Sequence, residues 1–242
     1  MTPAMTIGRI AAAGLLALVA RPSSASIRER VLELPEVPAV KAIRYGISVP
    51  DDIDARRPRP LVLALHPGGE LRPGYGAAYL DYFYYARLRV LGAVIVAPDC
   101  PKRSWTDEDA DKAVMALLQH VLEEFPIDRT RVLVTGYSMG GAGTWFMSSR
   151  HADFFTAAVT IAGSPAGQPI ETLGRIPTYA IHSRSDEVVP IGPDRETSRQ
   201  LEKMGRPVRF EAVDGGGHFD TDSYRAAYDR AIRWVEERWR AR

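Results

Sequence analysis

The chain has 242 residues, of which 45% are hydrophobic and 25% are charged. This is the ordinary composition of a globular protein, and it suffices to bury one large core without metals or disulfides. The 31 basic and 30 acidic side chains give a formal net charge of +1 and are spread along the sequence, which argues against binding to nucleic acid or to an anionic membrane. Cys100 is the only cysteine, so the chain can form neither an intrachain disulfide nor a cysteine-based zinc site. We expect the Cys100 side chain to be buried as a small apolar group.

The N-terminal residues have the pattern of a secretory signal peptide. Arg9 precedes an apolar run at residues 10–20, and the small residues Ser23 and Ala25 follow at positions that a signal peptidase recognises. The run is shorter than the roughly 20 residues that span a bilayer, which disfavours a permanent anchor. We therefore predict a signal peptide at residues 1–25 and a secreted or periplasmic domain at 26–242; the alternative is a cytoplasmic protein with an N-terminal extension.

The strand signals come next in chain order. Residues 40–49 alternate in polarity and predict an early strand, which ends in the turn-forming residues 50–60. Later runs are continuously apolar, as in strands that are covered on both faces. They lie at residues 61–65, 93–99, 131–136, 157–163 and 177–183, and a last strand is predicted at 208–214.

Helical patterns lie between these runs. The clearest covers residues 107–125, where apolar side chains recur at helical spacing behind an acidic first turn. Another covers residues 224–239, and the aromatic residues 79–88 are expected to form helix core rather than a substrate cage. Buried strands that alternate with helices predict a single α/β domain with a mostly parallel sheet, covered on both faces.

In such a sheet, ligands bind beyond the carboxyl ends of the strands. Polar residues and glycines collect at those predicted ends. They are His66 to Gly69, Asp99, Gly136 to Ser138, Ser185 with Asp186, and Gly215 to His218.

Ser138 lies in a G-x-S-x-G motif between a predicted strand and a predicted helix. A serine at such a turn is strained, and the residues two before and two after it, Gly136 and Gly140, have little room for a Cβ atom. In return, such a turn exposes the serine hydroxyl at the N-terminus of the following helix, where negative charge is favoured. Because this motif also arises by chance, the alternative is a turn of small residues in a protein without catalysis.

A serine hydroxyl needs a base to act as a nucleophile, and the chain has five histidines. We expect His120 and His151 to face solvent, and His66 to shape its loop. His218 is the favoured base because it follows three glycines after the last strand, in a loop flexible enough to reach Ser138; His182 is the alternative.

Asp186 is the favoured carboxylate to orient the base. It follows a strand end, and the order serine, aspartate, histidine is typical of one class of catalytic triad. Asp214 is the competitor, although we expect it to cap the glycine turn. Glu187 and Asp220 are expected to be surface charges.

Amide donors must also stabilise the oxyanion of an acyl-transfer reaction. The backbone N–H of Met139 is one candidate. The loop after the 61–65 strand offers Gly68 first and Gly69 second, because Pro67 has no N–H. A simple glycine turn is the alternative for this loop.

At these residues the chain resembles a known superfamily. "LHPGG", "VAPDCPKRSW", "DRTRVLVTGYSMGGAGTW", "IHSRSDEVVP" and "GGGHF" are similar to motifs of the α/β-hydrolase superfamily. The resemblance is to its small bacterial esterases of the carboxylesterase/phospholipase and dienelactone-hydrolase-like type, often labelled predicted peptidases, and covers about Arg59 to Trp239. It implies an α/β-hydrolase fold and a triad of Ser138, Asp186 and His218. Pro67 departs from the pattern, since related chains commonly have glycine there.

These observations predict a serine esterase that needs no cofactor or metal and acts on a small-molecule ester through an acyl-enzyme. Residues 163–176 are too short to build a lid, so we expect an open site without a large lid. Trp105 and Tyr137 are the candidate substrate-binding residues, with loop packing as the alternative for Trp105.

Two other functions remain open. A serine peptidase would use the same triad, and a binding protein on a hydrolase scaffold is the alternative from another class. The oligomeric state is not predicted.

Overall fold

One mixed sheet of eight strands organises the part of the chain that the computed structural model describes, residues 27–69, 72–165 and 167–241. The predicted signal peptide, residues 1–25, lies outside these residues. The strand order is β1-β2-β4-β3-β5-β6-β7-β8. β2 pairs antiparallel with β1 and β4, whereas β4, β3 and β5 to β8 are mutually parallel. The strands are β1 Arg28–Leu34, β2 Lys41–Ser48, β3 Arg59–Leu65, β4 Val94–Pro98, β5 Ile127–Tyr137, β6 Ala157–Ile161, β7 Thr178–Ser183 and β8 Val208–Val213.

Helices cover both faces of this sheet. One face packs against α1, a π-helical segment, α2 and α6, and the other face packs against α3, α4 and α5. A 3-10 turn follows α2 at Arg89–Leu91, and another lies at Ile170–Thr172. The helices are α1 Tyr75–Tyr79, the π-helix Leu80–Tyr84, α2 Tyr85–Leu88, α3 Glu108–Glu124, α4 Met139–Arg150, α5 Ile191–Lys203 and α6 Thr221–Arg240.

The apolar run of β3 is continuous because its two faces contribute to two different cores. Val62 and Ala64 belong to the core beneath α6, whereas Leu61, Leu63 and Leu65 belong to the core beneath α3 and α4. All five are at most 1% exposed. Each buried leucine contributes about 1.5–3 kcal/mol, so this strand is fixed at the centre of the sheet.

The predicted elements agree closely with the observed ones. The acidic first turn of α3 is preceded by Asp107, whose side chain accepts hydrogen bonds from the amides of Asp109 and Ala110. Within the aromatic run 79–88, Phe83 and Tyr84 are buried in the core, as expected.

β1 was not predicted. It is an edge strand with several exposed charged side chains, so its sequence lacks a clear apolar alternation. Its pairing with β2, from Arg28 opposite Ile47 to Leu34 opposite Lys41, determines its conformation instead. Within the described residues, no helix is both long and apolar enough to cross a membrane.

Candidate active site

Ser138 lies at the sharp turn between β5 and α4. Its backbone has φ 55° and ψ −115°, a conformation that costs a non-glycine residue about 1–3 kcal/mol. The amide of Ser138 donates a hydrogen bond to the carbonyl oxygen of Ile161 on β6, 2.8 Å away, which holds the turn in place. The side chain is partly exposed at the N-terminus of α4.

The neighbouring glycines allow this turn because the surrounding backbone is too close for a side chain. A Cβ atom on Gly136 would lie 2.0 Å from the carbonyl oxygen of Gly140. A Cβ atom on Gly140 would lie 2.2 Å from the carbonyl oxygen of Leu65, on β3. The expectation that these two positions have no room for a Cβ atom is therefore met, and α4 sits directly against the sheet.

The structure brings the side chains of Ser138, His218 and Asp186 together. The Nε2 atom of His218 lies 2.8 Å from the Oγ atom of Ser138, and its Nδ1 atom lies 2.8 Å from Oδ2 of Asp186. The side chains of His218 and Asp186 are 4% and 0% exposed. Three residues from separate strand ends thus form one continuous hydrogen-bonded chain.

The carboxylate of Asp186 is held on both of its oxygens. Oδ1 accepts hydrogen bonds from the amides of Val188 and Val189, at 3.0 and 2.7 Å, while Oδ2 faces His218. Burial by itself would raise the pKa of this carboxyl, but the hydrogen bonds from His218 and the two amides outweigh burial and lower its pKa. Asp186 therefore stays ionised beside the imidazole.

The loop that carries His218 is more firmly held than its three glycines predict. The backbone N–H of His218 donates to Oε2 of Glu187, 2.9 Å away, and its carbonyl oxygen accepts a hydrogen bond from the Tyr137 hydroxyl. Ser183 donates from its hydroxyl to the carbonyl oxygen of Gly216. These contacts hold the loop next to the serine turn, and Glu187, which is exposed as expected, also anchors it.

The other candidate residues occupy different positions. Asp214 is exposed and pairs with Arg184 at 2.9 Å, so it neither caps the glycine turn nor contacts His218. His120 is partly exposed beside Glu124, whereas His151 bonds to the buried Asp111 and does not simply face solvent.

His66 shapes its loop, as expected. Its Nε2 atom accepts a hydrogen bond from the amide of Cys100 at 2.9 Å, so Nδ1 carries the proton and donates it to the carbonyl oxygen of Pro67 at 2.7 Å. Burial lowers the pKa of His66, which keeps the ring neutral and in this one tautomer. Cys100 is buried, as expected, and burial raises the pKa of its thiol to about 12.

The loop after β3 reaches the start of α4. A Cβ atom built on Gly68 would lie 3.6 Å from Cβ of Met139, so this loop lies beside the residue that follows Ser138. Gly69 has φ 143°, and its position lies near the Tyr75 hydroxyl. A cleft of about 290 Å³ opens beyond this loop, with Arg44, Tyr75 and Asp99 among its walls.

The structure buries both of the predicted substrate-binding residues, Trp105 and Tyr137. Trp105 is 1% exposed, and its Nε1 atom donates a hydrogen bond to the carbonyl oxygen of His66. It packs closely on Gly143 of α4, where an added Cβ atom would lie only 2.5 Å from Cβ of Trp105. Tyr137 is 3% exposed and its hydroxyl is committed to His218. Both side chains therefore pack behind the site. The sequence suggested substrate contact because both residues lie near strand ends, but such a position does not reveal which way the ring points.

Sequence reasoning also missed contacts that only the folded chain creates. The Tyr224 hydroxyl on α6 lies 3.4 Å from Oδ2 of Asp186. His182 and Asp194 form a buried pair behind the same carboxylate. No local sequence signal marks Tyr224 or Asp194, since each lies within an ordinary helical pattern. Among the described residues, no group of three or more His, Cys, Asp or Glu side chains is arranged to hold a metal ion.

The strand order and the strained serine between β5 and α4 are those of the α/β-hydrolase fold. The comparison with family models is more specific. Residues 96–241 match the Dienelactone hydrolase family, and the chain belongs to that family.

Several of its relatives and structural neighbours carry esterase names. A probable feruloyl esterase C from Aspergillus flavus is 24% identical over 208 residues, which cover 71% of this chain and 75% of the relative. A structure described as a thermostable esterase is 28% identical with a TM-score of 0.72, over 87% of this chain and 62% of that one. A ferulic acid esterase structure has 17% identity and a TM-score of 0.69, over 87% and 97% of the two chains. The predicted superfamily, fold and enzyme class, a carboxylic ester hydrolase, are confirmed by these findings.

Proposed function

We propose that the protein is a serine esterase in which Ser138, His218 and Asp186 form the catalytic triad. The observation that carries this proposal is the pair of 2.8 Å contacts that His218 makes, through Nε2 to the serine and through Nδ1 to the carboxylate. A carboxylate only accepts hydrogen bonds, so the proton of the neutral imidazole belongs on Nδ1. The lone pair of Nε2 is then directed at the serine hydroxyl, as a general base requires.

The reaction follows from this arrangement. Nε2 of His218 takes the Ser138 proton as Oγ attacks the ester carbonyl, and the imidazolium then protonates the leaving alcohol as the C–O bond breaks. The product is an ester between Ser138 and the acyl group. Water, deprotonated by the same imidazole, attacks this ester, and the imidazolium then protonates Oγ of Ser138 as its bond to the acyl group breaks and the acid leaves. Asp186 stabilises the imidazolium at both stages.

The oxyanion is proposed to bind between the backbone N–H groups of Met139 and Gly68. Met139 is the first residue of α4, where amides have no partner within the helix and the helix dipole favours negative charge. Each such donor contributes about 3 kcal/mol in studied enzymes. The bond between His66 and the Pro67 carbonyl supports this role, because it fixes the peptide that precedes Gly68.

We propose esters of aromatic acids, of the type named in the relatives, as the first substrates to examine. The partly exposed serine and the short segment between β6 and β7 support an open site that accepts a bulky acyl or alcohol group. A peptidase would need the same triad, so we propose a direct comparison of feruloyl ester with peptide amide turnover.

The proposed enzyme is secreted after removal of residues 1–25, and N-terminal sequencing of the exported protein tests this step.

The central test is the Ser138→Ala variant. We expect kcat to fall by at least about 10⁴-fold, because the residual rate then comes only from binding and the oxyanion donors. The thermal midpoint should not decrease, and fluorophosphonate labelling should disappear. Ser149→Ala is the matched control, since this serine lies on the same helix and bonds only to nearby groups. Full activity or labelling of Ser138→Ala would overturn the proposal.

A further inference from the structure

His182 is buried directly behind the proposed triad carboxylate. It lies near the end of β7, and its side chain is 0% exposed. Nδ1 lies 2.9 Å from Oδ2 of Asp194, while Nε2 lies 2.8 Å from the carbonyl oxygen of Val189 and 3.4 Å from Oδ2 of Asp186. Both ring nitrogens therefore face acceptor atoms, and one of them faces the proposed active site.

The proton on Nε2 is fixed by chemistry. A backbone carbonyl oxygen only accepts hydrogen bonds, so Nε2 must donate to Val189. On the other side, burial would lower the pKa of His182, but the hydrogen bond and charge of Asp194 outweigh it and raise that pKa. Burial also raises the pKa of Asp194. Whichever member of the pair holds the proton between them, the Nε2–H group stays directed at Val189 and Asp186.

Val189 links His182 to Asp186 through its own backbone. Its carbonyl oxygen accepts from His182, and its N–H donates to Oδ1 of Asp186 at 2.7 Å. The loop after β7 is thus held from behind by the imidazole, while its amides hold the carboxylate from the front. A carboxylate fixed in this way keeps Oδ2 in line with Nδ1 of His218.

Asp194 is itself fixed by the helix that begins after the serine. Its Oδ1 atom accepts a hydrogen bond from Nε1 of Trp145 at 3.2 Å, and the side chains of both residues are buried. Trp145 lies on α4, whose first residue follows Ser138. The chain of contacts from Trp145 through Asp194 to His182 therefore connects the serine helix to the loop that carries Asp186.

We propose that His182 is a positioning residue that aligns Asp186 with His218, and that Asp194 and Trp145 hold His182 in the required orientation. This inference rests on the proposed function. A buried polar network of this kind stabilises one geometry only when every member has its partner. Loss of His182 should therefore displace the triad carboxylate rather than remove a group that touches the substrate.

The test compares His182→Gln with His182→Leu. The glutamine amide can still donate to the Val189 carbonyl, whereas leucine cannot. We expect kcat to fall about 10-fold in the glutamine variant and about 100-fold in the leucine variant, because small displacements of catalytic groups have effects of this size. KM should change less than twofold in both. Asp194→Asn provides a milder variant with the same expected pattern if His182→Leu does not fold.

A double-mutant cycle separates positioning from general stability. If His182 acts through Asp186, adding His182→Gln to Asp186→Asn should lower kcat no further, because the carboxylate it positions is already absent. His151→Gln is the matched control: His151 pairs with the buried Asp111 at 2.7 Å, outside the site, and its loss should lower the thermal midpoint while kcat is kept.

Three results would overturn the inference: unchanged kcat in both His182 variants and Asp194→Asn, a change confined to KM, or kcat losses that multiply in the Asp186→Asn background. Ser138→Ala, assayed alongside, separates the two proposals. If Ser138→Ala and Asp186→Asn keep their activity, the proposed function fails. If they lose it while the His182 and Asp194 variants retain kcat, only the positioning role fails.

Discussion

The hydroxyl of Tyr137 donates a hydrogen bond to the carbonyl oxygen of His218, 81 residues further along the chain, at 2.5 Å. Tyr137 immediately precedes the proposed nucleophile, so one short contact connects the serine turn to the histidine loop. Burial is the main reason that the pKa of Tyr137 is raised, so its hydroxyl stays protonated and remains a donor.

Tyr137→Phe should therefore weaken both catalysis and stability. We expect kcat to fall about 10-fold because the histidine loop loses an anchor, and the unfolding free energy to fall by about 1–2 kcal/mol because a buried carbonyl loses its donor. Ester turnover and urea denaturation measure the two effects.

Tyr79→Phe is the matched control for this prediction. Tyr79 belongs to the same aromatic cluster, with its ring centroid 6.3 Å from that of Tyr137. Its buried hydroxyl has no hydrogen-bond partner among the described residues. If both substitutions lower kcat equally, the Tyr137 hydrogen bond is not the cause.

Asp186 gives a prediction about pH and stability. The pKa of its carboxyl group in the folded protein is below the usual 3.8. The ionised carboxylate therefore stabilises the fold fully above about pH 4, the pKa in the unfolded chain, and this stabilisation is lost as the pH falls through the folded pKa. Asp186→Asn should be less stable than the parent at about pH 7, and the difference should shrink as the pH falls to about 3.

Urea titrations of the two proteins across this range measure the difference. Asp214→Asn is the control, because the Asp214 side chain is 84% exposed and pairs only with Arg184. A stability gap for Asp186→Asn that stays constant from about pH 7 to 3 would contradict the direction of the pKa shift.

The members of the proposed triad were accessible from the sequence because each one follows a strand. In a parallel sheet, strand ends converge at one edge, so Ser138, Asp186 and His218 were expected to meet although they are far apart in the chain. The glycines on both sides of Ser138 added a steric argument that the structure supports: Gly136 and Gly140 have no room for a side chain.

The contacts that surround the triad could not be predicted from the sequence, since they depend on side-chain direction and helix packing. Trp105 follows a strand end, as a substrate-binding residue would, yet its ring turns inward to the carbonyl oxygen of His66. Asp194 and Tyr224 lie on helices far along the chain, and only the packing of α5 and α6 brings them to the site. The edge strand β1 was missed because its pairing, rather than its own pattern, determines it.

Gly140→Ala should disrupt the packing of α4 on the sheet. The added Cβ atom would lie 2.2 Å from the carbonyl oxygen of Leu65 and 2.8 Å from that of His66, and these backbone atoms belong to the central strand and its loop. We expect a loss of about 3 kcal/mol or more in unfolding free energy, or failure to fold. Gly192→Ala on α5 is the control: its Cβ atom would meet nothing within 4 Å, so stability should stay equal or rise by up to about 1 kcal/mol. Equal stability of the two variants would show that α4 can move away from β3.

Phe219 provides the last prediction, which concerns substrate preference. Its side chain is 79% exposed, and its ring packs edge-on against His218 with centroids 5.3 Å apart. An exposed apolar ring beside the proposed base is available to an aromatic substrate without any rearrangement of the core. Phe219→Ala should raise KM for an aromatic ester about 3–10-fold, leave KM for a small acetate ester within twofold, and change stability by less than about 0.5 kcal/mol. Met204→Ala is the control, since Met204 is also exposed but follows α5 at the opposite end of the strands. An equal rise in KM for both esters would show that Phe219 acts on the site in general and does not select the aromatic group.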